Sequence, residues 1–288
     1  MVSALKAESQ TTNLPASAPL PLSPKAVLLF DIDGVIRDVA GSYRRAIVET
    51  VHHFCGWRPA PAVIDALKSE GCWNNDWEAS LELLRRNHPG TDGQPPLPAF
   101  ADLVAVFNSF YFGGDPEGDP AHWRGFIGDE PLLVDRRFFE VLSAADVAWG
   151  FVSGAEPASA RFVLQRRLEL ADPPLIAMGE APDKPDPTGF LRLAGSLLGP
   201  SGLGATAPPV AYLGDTVADV LTVTGARQRH PEQSFLSLAV APPHLHDDPA
   251  RSAYETNLRQ AGADHLLRQT ADLSPALLDG WLQALASD

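Results

Sequence analysis

Four largely apolar runs constrain what this chain can fold into more than any other feature. They are Ala26 to Phe30, ending at Asp31; Val147 to Val152, ending in Ser153-Gly154; Pro209 to Leu213, ending in Gly214-Asp215; and Phe235 to Val240. A weaker one is Leu175 to Met178. A strand with one face in water alternates apolar and polar residues, whereas a strand buried on both faces of a parallel sheet is apolar throughout. Amphipathic stretches such as Ala158 to Leu170 and Val217 to Arg227 separate the runs, so strand and helix alternate. The pattern predicts an α/β fold, a doubly wound parallel sheet. In open sheets of this kind ligands bind outside the carboxyl ends of the strands. Asp31, Ser153 and Asp215 end three of the runs and should meet in one crevice.

The alternation is interrupted between about Val39 and Gly125. Tyr43, Ile47, Val51 and Phe54 recur there at helical spacing, as do Trp77, Leu81 and Leu84, between Gly and Pro breaks. This predicts a mainly helical insertion directly after the first strand. The 288 residues exceed what one average core needs. We therefore expect a core of residues 25–39 and 126–288 with a second, helical domain at 40–125. Residues 1–24 carry no continuous apolar run, which argues against a signal peptide or membrane span, and their Ser, Thr, Ala and Pro content suggests a flexible tail.

Charge narrows the partners. The formal net charge of −14 opposes nucleic acid and anionic lipid surfaces, so neither is expected as a partner. A phosphorylated ligand would need a locally positive site built from a metal ion, a lysine or backbone amides. Cys55 and Cys72 form no CxxC and no larger framework, as in chains from a reducing compartment, which leads us to expect a cytoplasmic location. A homo-oligomer is left open.

Asp31-Ile32-Asp33-Gly34 sets two carboxylates on one side of an extended segment, because residues two apart point the same way. One can attack covalently while the other transfers protons, with a divalent cation shielding the attack on an anionic group. Alone, the pattern is also what an acidic turn looks like. Its companions add to it. Ser153-Gly154 offers a hydroxyl and unhindered amides, and Lys184 can neutralise phosphate charge. Asp215 and Asp219 are spaced one helical turn apart, which suits magnesium. Each has a plainer reading: Ser153 as a turn hydroxyl, Lys184 as a solvated lysine, Asp219 as support for a helix N-terminus. His244 and His246 with Asp247 and Asp248 lack a further ligand at suitable spacing for zinc, and the two cysteines fit ordinary packing.

Taken together, Asp31-x-Asp33-Gly34-Val35, Ser153-Gly154, Lys184-Pro185 and Gly214-Asp215-x-x-x-Asp219 resemble, in order, the four motifs of the haloacid dehalogenase superfamily in its phosphatase branch. The resemblance runs from Ala26 to about the C-terminus, including Ala261-Gly262-Ala263-Asp264. It implies a Rossmann-like core and, from the place of the insertion, a helical cap of the first type. It also implies Asp31 as nucleophile and Asp33 as general acid and base. Asp31, Asp215 and the Asp33 carbonyl would hold Mg²⁺ with Asp219 in support, and the substrate would be a small phosphorylated metabolite.

Within the cap, Asn75 followed by Asp76 and Glu78 reads as a helix start with Asn75 as N-cap. Lys68, Trp73 and Asn74 precede it in a glycine-containing loop and are candidates for substrate contact, as are Gly154 and Arg37; Arg37 is equally a surface candidate. A dehalogenase would need neither Asp33 nor the magnesium carboxylates, and a phosphonatase would need a cap lysine, for which Lys68 is the candidate. A sugar-phosphate mutase differs chiefly in the lifetime of its aspartyl phosphate. A non-catalytic phosphometabolite-binding protein would be favoured by a degraded nucleophile.

Overall fold

The computed structural model describes residues 24–68, 70, 73, 75–87, 96–245 and 248–285. In chain order, β1 (Ala26–Phe30) leads into α1 (Tyr43–Cys55), α2 (Pro61–Lys68), α3 (Asp76–Arg86) and α4 (Phe100–Tyr111). Next come α5 (Arg136–Ala144), β2 (Val147–Val152), α6 (Pro157–Arg161), β3 (Leu175–Ile176), α7 (Thr188–Leu198), β4 (Val210–Gly214) and α8 (Val217–Arg229). The chain closes with β5 (Phe235–Val240), α9 (Asp248–Ala261), β6 (His265–Leu267) and α10 (Pro275–Leu285). The six strands form one sheet in the order β3-β2-β1-β4-β5-β6, every pair parallel. β1 lies between β2 and β4, so the winding reverses beside it and opens a crevice at its carboxyl end.

The apolar runs are explained by burial on both faces. Leu28, Phe30, Trp149, Phe151, Leu213 and Leu238 face a layer containing Phe139, Val163 and Leu278. Val27, Leu29, Val210 and Tyr212 face Phe190, Ala194 and Val223 of α7 and α8. A third cluster belongs to the insertion: Tyr43, Ile47, Val51, Ile64, Leu83, Leu103 and Phe107 pack together, and the cluster continues past Gly125 to Ile127. Asn75 caps α3 as its sequence predicts, accepting from the Trp77 and Glu78 amides at 2.9 and 3.2 Å.

The two crossings between sheet and insertion run side by side. The Leu133 amide donates to the Ile36 carbonyl and the Asp38 amide to the Pro131 carbonyl, each at 2.9 Å, and Arg37 pairs antiparallel with Leu132.

Three elements differ from their sequence expectation. The run Leu175 to Met178 contributes only two residues to the sheet, because the chain turns at Ala177 and passes left-handed Gly179. The helix expected over Ala158 to Leu170 starts at Pro157 and widens after Arg161 into a π turn over Phe162–Arg167. It ends at left-handed Glu169. β6 is a three-residue edge strand, too short and too polar to register as an apolar run.

Phe139 meets Phe30, Trp149 and Phe151 with ring centroids 5.8, 4.9 and 5.5 Å away. Phe139→Ala should lower unfolding stability by about 3–5 kcal/mol, because this close-packed cluster cannot collapse onto the void. Urea denaturation checks it; a midpoint within error of wild type would show that the cluster is loosely packed.

Candidate active site

β1 hands the chain to Asp31, whose amide donates to the Leu213 carbonyl of β4 at 2.9 Å. The parallel register brings Asp31 beside the carboxyl end of β4, where Asp215 begins the next turn. Two glycines permit this crowding. Gly34 is left-handed, at φ +77°, and a Cβ there would overlap the Asp215 carboxylate; a Cβ at Gly214 would overlap the Asp219 side chain. Asp31, Asp215 and Asp219 are buried, and one oxygen of each lies within 4.8 Å of the others.

Lys184 holds this cluster together. Its ammonium is 3.1 Å from Asp31 Oδ2 and 2.5 Å from Asp219 Oδ1. It also donates to the Tyr212 hydroxyl at 3.3 Å, and that hydroxyl donates to the Val152 carbonyl at 2.7 Å. Burial works against the ammonium charge, but Asp219 and then Asp31 outweigh it and hold the lysine protonated. Asp219 is fixed from its other side. Oδ2 accepts from the Thr216 amide at 2.9 Å and hydroxyl at 2.6 Å, and the Asp219 amide returns a bond to that hydroxyl, closing a capping box at the start of α8. Burial disfavours its charge; Lys184 and Thr216 reverse the balance and keep Asp219 ionised.

Asp31 and Asp215 stand differently. Burial, opposed in part by Lys184, pushes the Asp31 carboxyl up to about 6. Burial and then the charges of Asp219 and Asp31 push Asp215 well above the carboxylate range. One lysine does not neutralise three buried carboxylates, and Asp31 Oδ1 is buried with no hydrogen-bond partner among the described residues. These donors fit a hard divalent cation, which favours carboxylate oxygens. Both Asp219 oxygens are engaged by Lys184 and Thr216, so Asp31 and Asp215 are the better placed ligands and Asp219 stands behind them. Tyr254 of α9 steadies the turn by donating to the Asp215 carbonyl at 2.9 Å.

Ser153 and Gly154 end β2 on the same rim. Ser153 is buried, its amide donating to Ile176 and its hydroxyl accepting from the Ala155 amide at 3.2 Å, while Gly154 is exposed with open space where a Cβ would be. Glu156, two residues on, is pushed up to about 7 by burial and then by Glu117 of the insertion.

The second carboxylate of the pair, Asp33, is held by Arg37. The guanidinium Nε–H donates to Asp33 Oδ1 at 2.6 Å, and the two terminal nitrogens donate to Glu130 Oε2 and Ser159 Oγ, both at 2.8 Å. Arg37 has no solvent-exposed surface. In the cap, Lys68 is the last residue of α2 and pairs with Asp76. The Trp73 ring N–H donates to Glu70 at 2.8 Å, with the Arg86 guanidinium 5.9 Å from its ring centroid. Asn74, Cys72, His246 and Asp247 lie outside the described residues. His244 faces Asp65 at 3.8 Å, and the exposed Cys55 thiol donates to the Val51 carbonyl at 3.3 Å.

Sequence reasoning missed four residues that build this site. Thr216, three before Asp219, carries a legible capping-box spacing. Tyr212 sits inside an apolar run, where a phenol demands a polar partner. Glu130 and Ser159, remote in sequence from Arg37, give no such signal.

No family model matches the chain. A curated relative from Phytophthora nicotianae, "Imidazoleglycerol-phosphate dehydratase", is 31% identical over 201 residues, covering 69% of this chain; the chain spans about 41% of that relative. Among solved structures, a HAD hydrolase of family IA, variant 3, from Entamoeba histolytica is 11% identical at a TM-score of 0.60, covering 90% of this chain and 99% of its own. Beta-phosphoglucomutase from Clostridium difficile is 14% identical at 0.57, covering 91% and 99%. Phosphatase Tt82 from Thermococcus thioreducens is 21% identical at 0.55, covering 81% and 99%.

The Asp31 carboxyl holds its proton more tightly in the folded chain than its ordinary value of 3.8 allows. Its contribution to stability is therefore full below about pH 3.8 and lost as pH rises through about 6. In chelator, Asp31→Asn should be matched with wild type at pH 3.5 and more stable above pH 6, by about 1–3 kcal/mol. Mg²⁺ should close that gap by stabilising the wild type. Denaturant melts across pH check both; a gap that is constant with pH would refute the burial argument.

Proposed function

Starting from a chain with the haloacid dehalogenase fold and a helical insertion after its first strand, we propose a Mg²⁺-dependent phosphatase of a small phosphorylated metabolite. The observation that carries this reading is Asp31: a buried carboxylate at the crevice end of β1, with Oδ2 beside Lys184 and Oδ1 without a hydrogen-bond partner among the described residues. Asp33 stands two residues on. We assign the core to residues 25–39 and 126–288 and the cap to 40–125, and a cytoplasmic setting accords with the sparse cysteines.

Asp31 attacks phosphorus in line, and the bond to the substrate oxygen breaks as Asp33 gives that oxygen its proton. Asp33 then takes a proton from water, which attacks the aspartyl phosphate and returns Asp31 as a carboxylate with release of phosphate. Lys184 and the Ser153 and Gly154 groups stabilise charge on the transferring phosphoryl, where most of the catalysis in phosphoryl transfer lies. A bound Mg²⁺, held by Asp31, Asp215 and the Asp33 carbonyl, would supply charge neutralisation between nucleophile and phosphoryl oxygens.

The second reading is a phosphomutase, which the likeness to a beta-phosphoglucomutase fold keeps in view. It needs the same residues and a longer-lived aspartyl phosphate. A phosphonatase is disfavoured because Lys68 is occupied by Asp76. A dehalogenase would leave Asp33 and Asp215 without a task. The name of the curated relative points to an imidazole-bearing alkyl phosphate, so compounds of that class belong in any substrate panel.

With Mg²⁺ and a broad panel of phosphate monoesters, wild type should release phosphate and Asp31→Asn should not; silence across the panel from wild type would sink the proposal. Asp33→Asn should slow alkyl phosphates by about 10²–10⁴ while p-nitrophenyl phosphate, whose leaving group needs no proton, still phosphorylates Asp31. A burst of nitrophenolate equal to the enzyme concentration is the readout. Conversion of a sugar phosphate to its isomer without phosphate release would favour the mutase.

A further inference from the structure

Arg37 is among the largest fully buried side chains of the molecule, and burying a guanidinium is expensive unless every charge around it is matched. Its surroundings come from three parts of the structure. Asp33 lies at the crevice end of β1, and Glu130 follows the insertion where the chain returns to the sheet. Ser159 belongs to α6 of the core. The insertion closes the shell: the Tyr111 hydroxyl lies 2.8 Å from Ser159 Oγ and 3.3 Å from Glu130 Oε1. The Ser42 hydroxyl donates to the same Glu130 oxygen, and the Tyr43 ring centroid is 5.5 Å from the guanidinium carbon. Tyr43 and Tyr111 themselves stack at 4.1 Å.

The result at Asp33 is asymmetric. Oδ1 is fixed by the Nε–H at 2.6 Å, and the backbone tightens the same loop, with the Gly34 amide donating to the Arg37 carbonyl at 2.9 Å. Oδ2 has no partner among the described residues, and the Asp33 side chain keeps 27% of its surface exposed. A carboxylate clamped through one oxygen and free at the other has its reactive lone pairs aimed by the clamp.

We infer that Arg37 is a positioning residue for Asp33, holding the carboxylate by Oδ1 so that Oδ2 carries the proton, with Tyr43 of α1 and Tyr111 of α4 closing the shell that sets the guanidinium. This rests on the acid and base role proposed for Asp33. It assigns no contact with substrate to Arg37, whose three nitrogens are spent on protein groups. It also accounts for an arginine here in place of a small residue, since only a planar fork can reach Asp33, Glu130 and Ser159 at once.

The test compares phosphate esters whose leaving groups range from p-nitrophenolate to alkoxide. A residue that only stabilises the fold lowers all rates together; one that aims a proton donor lowers them in proportion to the leaving group's need for a proton. Arg37→Lys keeps the charge and loses the fork. It should lower alkyl phosphate turnover by about 10²-fold, the usual penalty for misplacing a reacting group, with phosphorylation by p-nitrophenyl phosphate within about threefold of wild type. Ser159→Ala, which leaves both ion pairs in place, should shift the same ratio in the same direction, and it carries the test should Arg37→Lys fail to fold. Added to Asp33→Asn, Arg37→Lys should change the remaining rate by no more than about twofold, because the two act through one group. Equal losses for all leaving groups, or additive losses in the double variant, overturn the inference. If Asp33→Asn itself shows no dependence on leaving group, the fault lies instead in the role given to Asp33.

Discussion

Everything at the crevice depends on one partly buried ammonium. Lys184 lies between Asp31 and Asp219, and without it three carboxylates would share a space from which water is largely excluded. The lysine does not merely lower the charge; it divides the acids into two kinds. Asp219 is held ionised and saturated with hydrogen bonds, while Asp31 keeps one oxygen without a hydrogen-bond partner among the described residues and a raised affinity for protons. The same residue thus makes Asp219 a fixture and leaves Asp31 the less satisfied of the two.

The positions of Asp31, Ser153 and Asp215 were legible because a parallel sheet translates a linear pattern into a spatial one. Runs with almost no polar alternation had to be buried on both faces, and the residues ending them had to share one edge. What could not be read was the shell around them. Arg37, one helical turn's distance in sequence from Asp33, gave no sign of being buried, since its burial depends on Glu130 and Ser159, which are 93 and 122 residues away. Charged residues far apart in a chain carry no periodicity that announces their meeting. Helix Ala158 to Leu170 was legible in existence but not in form, because the π turn over Phe162–Arg167 departs from the 3.6-residue period by which helices are read.

The insertion illustrates a further limit. Its helices were apparent from periodicity, and Asn75 as a cap from side-chain chemistry, yet Lys68 and Trp73 looked available only because their partners were not in view. Asp76, Glu70 and Arg86 engage them within the insertion itself. Residues that look free in a loop are often the fastenings of the loop.

The paired crossings at Ile36 to Asp38 and Pro131 to Leu133 have a mechanical meaning. A body on two separate tethers can slide, tilt and turn. Here the tethers are bonded to one another as a short antiparallel ribbon, which resists shear between them and bends most easily about a line across its width. Any swing of the insertion relative to the sheet would thereby be confined to something near a single angle, like a door on its pin, with Arg37, a member of that ribbon, at the pivot.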